Sequence, residues 1–286
     1  MRSAPHPFSL RQVQYALAVK ETGGFRAAAT LCAVSQPALS AQLALLERAL
    51  GVVLFERDRG GVRPTSEGEV LLPSLSRLLV GADDVLEAAR ALGDPLSGRR
   101  TFGVIPTIAP YFLPDAAPVL AARFPKLEVV WLEEKTATLL EHLAEGRIDA
   151  ALLALEVPLG DVAQEPLAAD PFFLAVPRGH RLARGRSRVP LEELAEETVL
   201  LLEDGHCLRQ QALSACARTG IREAGFRATS LSTLVSMVAS GAGVTLLPAI
   251  AAELENRRGA LALRRFRDPE PARTLGLVWR RSAPFG

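Results

Sequence analysis

The sequence predicts an α+β multidomain protein in three parts: a winged helix-turn-helix over residues 1–65, a linker helix over 66–94, and a large α/β module over 95–286. Three observations predict it. Three short helical segments and a basic hairpin fill the first 65 residues. A heptad-spaced apolar seam runs from Leu71 to Leu92. Beyond Arg99, short apolar runs alternate with helical stretches.

The N-terminal part reads clearly. Leu10, Val13 and Leu17 recur at helical spacing after Ser9, and Gly23-Gly24 stops that helix. A second helix covers Phe25–Leu31, and Cys32-Ala33-Val34 forms a turn. Ser35 is an N-cap, with Pro37 in the first turn of a third helix that runs from Gln36 to about Leu50 and closes at Gly51. Two helices around a short turn make a helix-turn-helix, although an ordinary helical hairpin has the same outline. Ser35, Gln36, Ser40 and Gln42 present polar side chains able to reach base edges or phosphates, with Pro37 among them. The stretch Leu54–Thr65 then reads as a wing whose Arg57, Arg59 and Arg63 could grip phosphate. Cys32 is read as packing.

Charge agrees in direction. Residues 1–65 carry eight Lys/Arg against four Asp/Glu, residues 66–98 carry two against six, and the whole chain is +1. With 286 residues and 49% hydrophobic content, the chain can bury a sizeable core. No apolar run approaches the ~20 residues of a membrane span. Residues 1–7 lack the apolar centre of a secretory signal. The expectation is a cytoplasmic protein without membrane association, in a compartment that keeps thiols reduced. Nothing in the pattern calls for a metal or a cofactor.

Thr65 is expected to cap the linker helix. Leu71, Leu75, Leu78, Ala82, Val85, Ala89 and Leu92 follow at spacings of 4, 3, 4, 3, 4 and 3. Such a stripe suits a dimerising helix or a helix packed on its own chain. Pro73 is expected to kink it, and Gly93–Gly98 to end it as a hinge. In the third part, strands are expected near Thr101–Ile105, Glu128–Glu133, Ala150–Leu155, Phe172–Val176, Val199–Glu203, Val244–Leu247 and Leu275–Trp279. Helices are expected near Pro110–Arg123, Thr136–Glu145, Leu208–Arg218 and Leu231–Ser240. The alternation argues for parallel sheets.

Cys207 and Cys216 carry the chemistry. Cys207 follows Gly205-His206 where a helix begins, and a neighbouring imidazole and a helix N-terminus can lower a thiol pKa. The plain alternative is an inert core cysteine. Nine residues of helix rise ~13.5 Å and turn to the opposite face. A disulfide needs Cα atoms within ~7 Å. The pair therefore cannot bridge unless the helix unwinds. Cys216 as a core residue fits the spacing equally well.

Phe25–Ala29, Val34–Ser40, Leu46-Glu47, Leu50-Gly51, Leu54–Arg57 and Pro64-Thr65 together resemble the DNA-binding domain of LysR-type transcriptional regulators. The resemblance implies binding to double-stranded promoter DNA, with the helix after Ser35 in the major groove. It also implies a homodimer through the linker helix, a homotetramer, and contact with RNA polymerase. The third part then resembles a two-lobed periplasmic binding protein, with lobe I near 99–168 plus 273–286 and lobe II near 169–272. Family members usually continue with a C-terminal helix, so an engineered truncation or a divergent tail is expected after the last strand.

Leu202–Arg209 with Cys216 resembles the redox motif of the peroxide-sensing branch of that family. Gly103–Thr107, Phe226–Leu231 and Gly243–Pro248 also resemble that branch. The resemblance implies that hydrogen peroxide oxidises Cys207 to a sulfenate, that Cys216 resolves it as a reversible disulfide, and that Thr107, Thr136, His206 and Arg273 surround the peroxide. Helix capping would equally explain Thr107 and Thr136. Two other functions compete: a regulator binding a small organic anion between the lobes, and a thiol peroxidase. The winged helix argues against an enzyme.

Overall fold

The computed structural model describes residues 5–58, 61–91, 94, 96–185, 188–216 and 220–283. The chain divides into two compact units, Met1–Gly93 and Asp94–Pro284.

In the first unit, α1 (Leu10–Thr22) opens on a capping box between Ser9 and Gln12 and ends at Gly23, whose φ of 64° suits glycine. Helix α2 (Phe25–Leu31) and α3 (Gln36–Leu50) meet at 103°, a helix-turn-helix angle. Ala33 turns the chain between them with φ 54°, a left-handed conformation that costs a non-glycine residue about 1–2 kcal/mol. Strands β1 (Phe55–Asp58) and β2 (Gly61–Pro64) pair antiparallel as the wing. Val13, Val19, Leu39, Leu43, Leu46 and Leu54 form the core, against which Cys32 packs half-buried.

Helix α4 (Ser66–Ala91) starts where Thr65 Oγ1 accepts from the amide of Gly68 at 2.9 Å. A Cβ at Gly68 would collide with the Leu54 carbonyl oxygen, so this close crossing requires glycine. The helix continues through Pro73. Its stripe divides. Leu72 and Leu75 are buried and Leu71 packs on the first core, whereas Leu78, Val85 and Leu86 are exposed. The last seam position, Leu92, lies outside the described residues, as do Gly93 and Pro95 of the expected hinge.

The second unit contains β3 (Gly98–Val104), α5 (Ala109–Arg123), β4 (Leu127–Glu133), α6 (Thr136–Ala144), β5 (Ala150–Ala154) and β6 (Val162–Pro177). It continues with β7 (Thr198–Leu202), α7 (Cys207–Cys216), β8 (Arg222–Ala228), α8 (Leu231–Ala239), β9 (Thr245–Pro248), α9 (Ala249–Glu255), β10 (Leu261–Arg265) and β11 (Ala272–Arg280). The larger sheet has the order β10-β6-β11-β5-β3-β4, with β9 also on β6. Strand β3 is parallel to β4 and β5, and β7 to β8, as the alternation predicts. Strands β9, β10 and β11 instead run antiparallel to β6. The reason is β6 itself. It runs for 16 residues, pairs with β11 in its first part and with β9 and β10 in its last.

Two hydrophobic cores flank β6. One joins Val104, Ile105, Leu139, Leu143, Leu152 and Val278. The other joins Phe172, Leu174, Val199–Leu202, Leu234, Leu246 and Phe266. Among the described residues no single helix is long and apolar enough to cross a membrane.

Candidate functional site

The carboxyl ends of β3 and β4, parallel neighbours in the larger sheet, and of β7, parallel to β8 in a separate one, deliver three loops to one place, the position where open α/β sheets bind ligands. Their residues Thr107, Lys135, Thr136, Gly205, His206 and Cys207 line a crevice too narrow for a water molecule. Gly205 holds φ 91°, the turn that glycine permits before α7 begins.

Cys207 is the first residue of α7, is buried, and has a free thiol. Its side chain belongs to the core built around β3 and β5, while Leu208 and Ala212 of the same helix belong to the core around β7 and β9. The two cores divide between consecutive residues.

The sequence suggests a lowered thiol pKa at Cys207. The structure reverses this. Burial pushes the thiol up, and it outweighs three opposing influences: the Thr136 hydroxyl, the Arg273 charge, and the amides of Leu208 and Cys207 at the helix start. His206 adds no cation. It is buried, and burial together with nearby Lys135 holds its pKa below the ordinary histidine value, so the ring is neutral at pH 7. His206 Nε2 lies 3.9 Å from Glu203 Oε1 and has no hydrogen-bond partner. Lys135 pairs with Glu203 instead.

The two threonines are not caps. Ile108 is the N-cap of α5 and Lys135 that of α6, neither with a side-chain cap bond. Thr107 Oγ1 accepts from Arg273 Nη1 at 2.8 Å, and its carbonyl accepts from Nη2 at 3.0 Å. Thr136 Oγ1 is buried without a well-aligned partner and faces the Cys207 thiol.

Arg273 is the second residue of β11, directly opposite Asp170 on β6. Both are buried, and Arg273 Nε donates to Asp170 Oδ2 at 2.8 Å. Asp170 Oδ1 also accepts from the Ile250 amide at 3.0 Å. Asp170 was not legible as a site residue; its one signal is a carboxylate at the head of the apolar run Phe172–Val176. Glu156 was also missed. It accepts from the Thr274 amide and from Gln211 Nε2 of α7, at 2.5 and 3.3 Å.

Helix α7 is continuous from Cys207 to Cys216, so ~13.5 Å of rise separates the two backbones. Residues 217 and 218, expected to extend it, lie outside the described residues, and only the backbone of Cys216 is described. Above the crevice, Thr107, Lys135 and His206 also border a cleft of about 420 Å³, whose wall carries Glu133, Glu134, Glu203 and Glu255. Among the described residues no cluster of His, Cys, Asp and Glu could hold a metal ion.

On the first unit, Ser35 Oγ caps α3 by accepting from the Ala38 amide at 3.3 Å. Gln36, Pro37 and Gln42 are exposed, and Ser40 is half-buried. Gln42 Oε1 accepts from Gln12 Nε2 of α1 at 3.1 Å. Arg63 on β2 is exposed. Arg59 lies outside the described residues, and Arg57 is described only as a backbone position on β1.

Two family models cover this architecture. The bacterial regulatory helix-turn-helix of the lysR family matches residues 10–69, and the LysR substrate binding domain matches residues 93–285. The DNA-binding transcriptional dual regulator OxyR of Escherichia coli is 42% identical over 97% of this chain and 91% of its own length. The chain belongs to the LysR family, in its OxyR branch. Solved structures of that branch are similar across the chain. Full-length OxyR from Pseudomonas aeruginosa with a cysteine-to-aspartate substitution gives a TM-score of 0.81 at 34% identity, covering 98% of this chain and 92% of that one. A cysteine-to-serine mutant of Corynebacterium glutamicum OxyR, bound to H2O2, gives 0.65 at 36% identity, covering 99% and 89%.

Proposed function

We propose that this LysR-family protein is a DNA-binding transcriptional regulator that senses hydrogen peroxide through Cys207. One observation carries the reading: the Cys207 side chain sits in one core while the helix it begins sits in the other. Oxidising that thiol puts a polar group into a dry crevice and strains the junction between the two cores.

The chemistry balances without a cofactor. Cys207 as thiolate attacks one peroxide oxygen and the O–O bond breaks. The sulfur becomes a sulfenic acid, and the departing hydroxide takes up a proton to leave as water. The Cys216 thiol then attacks the sulfenic sulfur, forms the S–S bond and releases a second water. Two thiols lose two electrons and two protons to one peroxide. Arg273, held by Asp170, supplies positive charge to the thiolate and the developing oxyanion. Thr107 and Thr136 offer hydroxyls to the peroxide, and His206 shields the site as a neutral wall. Peroxide entry requires the crevice to widen. The disulfide requires α7 to unwind, since ~13.5 Å of helix separates the two cysteines.

On the DNA-binding unit we assign base and phosphate contacts to Gln36, Pro37, Ser40 and Gln42, with Ser35 fixing the start of the recognition helix. Arg57, Arg59 and Arg63 are assigned to backbone phosphates. Exposed Leu78, Val85 and Leu86 on α4 support a homodimer through that helix. Promoter DNA, a tetramer and RNA polymerase complete the assignment. The rival, a regulator of small organic anions, is opposed by the charge of the cleft, where Lys135 is matched by Glu203 and Glu133, Glu134 and Glu255 leave an acidic surplus.

Peroxide titration with thiol trapping and mass spectrometry tests the reading. A Cys207–Cys216 disulfide should form at low peroxide in the native chain, and Cys207→Ser should form none. Unchanged peroxide-dependent footprints in Cys207→Ser would overturn it.

A further inference from the structure

A basic recess on the second unit uses none of the residues discussed so far. It is a concavity of about 180 Å³ between the 3-10 turn Arg181–Ala183 and the end of β10. Five arginines line it, Arg181, Arg184, Arg188, Arg264 and Arg267, against one carboxylate, Glu193. Part of that charge is already matched. Arg181 pairs with Glu193, Glu196 and Glu197, and Arg188 with Asp268 at 2.7 Å.

The rest is held differently. Arg264 Nη1 donates to the carbonyls of Leu182 and Arg184 at 2.8 and 2.6 Å, drawing the turn against β10. Arg267 Nε donates to the Arg188 carbonyl at 3.3 Å. A carbonyl oxygen fixes the direction of a guanidinium without cancelling its charge. Among the described residues no carboxylate pairs with Arg184 or Arg267, and both are exposed. The recess thus combines a preset scaffold, uncompensated charge and a small concave volume. Guanidinium forks match the oxygen edges of a tetrahedral oxyanion. The volume is well above the ~10–15 Å³ that one water molecule needs, room for one such group with part of its hydration.

We propose that this recess binds a phosphate-type oxyanion, gripped by Arg184 and Arg267. The same chemistry is offered by a free phosphate and by a phosphate of a bound nucleic acid, and the test separates them.

The experiment is isothermal titration of the full reduced chain with inorganic phosphate, in chloride buffer at constant ionic strength. Saturable binding is expected. Arg184→Ala/Arg267→Ala should weaken it roughly tenfold or more, since two charge-assisted contacts are lost. Arg184→Lys/Arg267→Lys should restore part of it. The charge-matched control Arg99→Ala/Arg281→Ala should leave it unchanged. If inorganic phosphate does not bind but a short DNA duplex is weakened by the recess variant and not by the control, the oxyanion is a nucleic-acid phosphate. Binding absent with both probes, or weakened equally by recess and control variants, overturns the proposal.

Discussion

Arg273 and Asp170 face each other as register partners on β11 and β6, both buried, 2.8 Å apart. Removing one partner strands a charge in a dry interior. Asp170→Ala should therefore cost roughly 3–5 kcal/mol in urea unfolding. The double variant Asp170→Leu/Arg273→Met should recover most of that stability, yet remain slow toward peroxide. Full recovery of the oxidation rate in the double variant would remove Arg273 from the chemistry.

The second prediction separates the two cysteines. Cys216→Ser should still consume one peroxide and stop at a sulfenic acid, detectable with a dimedone-type trap. Cys207→Ser should give neither trap adduct nor disulfide, and should bind operator DNA as the reduced chain does. A sulfenate at Cys216 in that variant would reverse the assigned roles.

Ionisation predicts how stability follows pH. The folded Cys207 thiol titrates above its unfolded value, so its contribution is complete below about 8.5 and is lost as pH rises beyond that. His206 is shifted the other way. Its contribution is complete above about 6.5 and is lost as pH falls through the lower folded value. Urea midpoints of Cys207→Ser should be flatter on the alkaline side, and those of His206→Gln flatter on the acid side.

Lys135 offers a sharper probe of the same ring. Its charge helps to hold the His206 pKa down. Lys135→Ala should raise that pKa, read by NMR titration of the imidazole. A fall would overturn the assignment of Lys135 as a charge acting on this ring.

The exposed apolar half of α4 should carry self-association. Burying each of Leu78, Val85 and Leu86 against a partner is worth about 1.5–3 kcal/mol. Val85→Asp should shift the chain toward monomer in sedimentation and weaken operator binding. Sedimentation unchanged from the native chain would assign the dimer to another surface.

Local signals made part of this protein readable from sequence. Ser9, Gly23, Ser35, Pro37 and Gly51 bound α1 and α3, because caps and stops act within one helical turn. The heptad spacing located α4, and Gly205-His206-Cys207 marked the start of α7. Strands β8 and β10, helix α9 and the first half of β6 gave no such signal, because their partners lie far along the chain.

The sequence by itself determined the winged helix-turn-helix, the linker helix, the α/β alternation and the position of Cys207 at a helix start. It could not decide the state of that thiol. Burial is a property of the assembled cores, and desolvation overrides the helix terminus that the sequence offers. Only the tertiary structure decided that Cys207 and Leu208 belong to different cores, that Asp170 faces Arg273, and that His206 is neutral. Each depends on which distant strands pair and on which side chains lose water when they do.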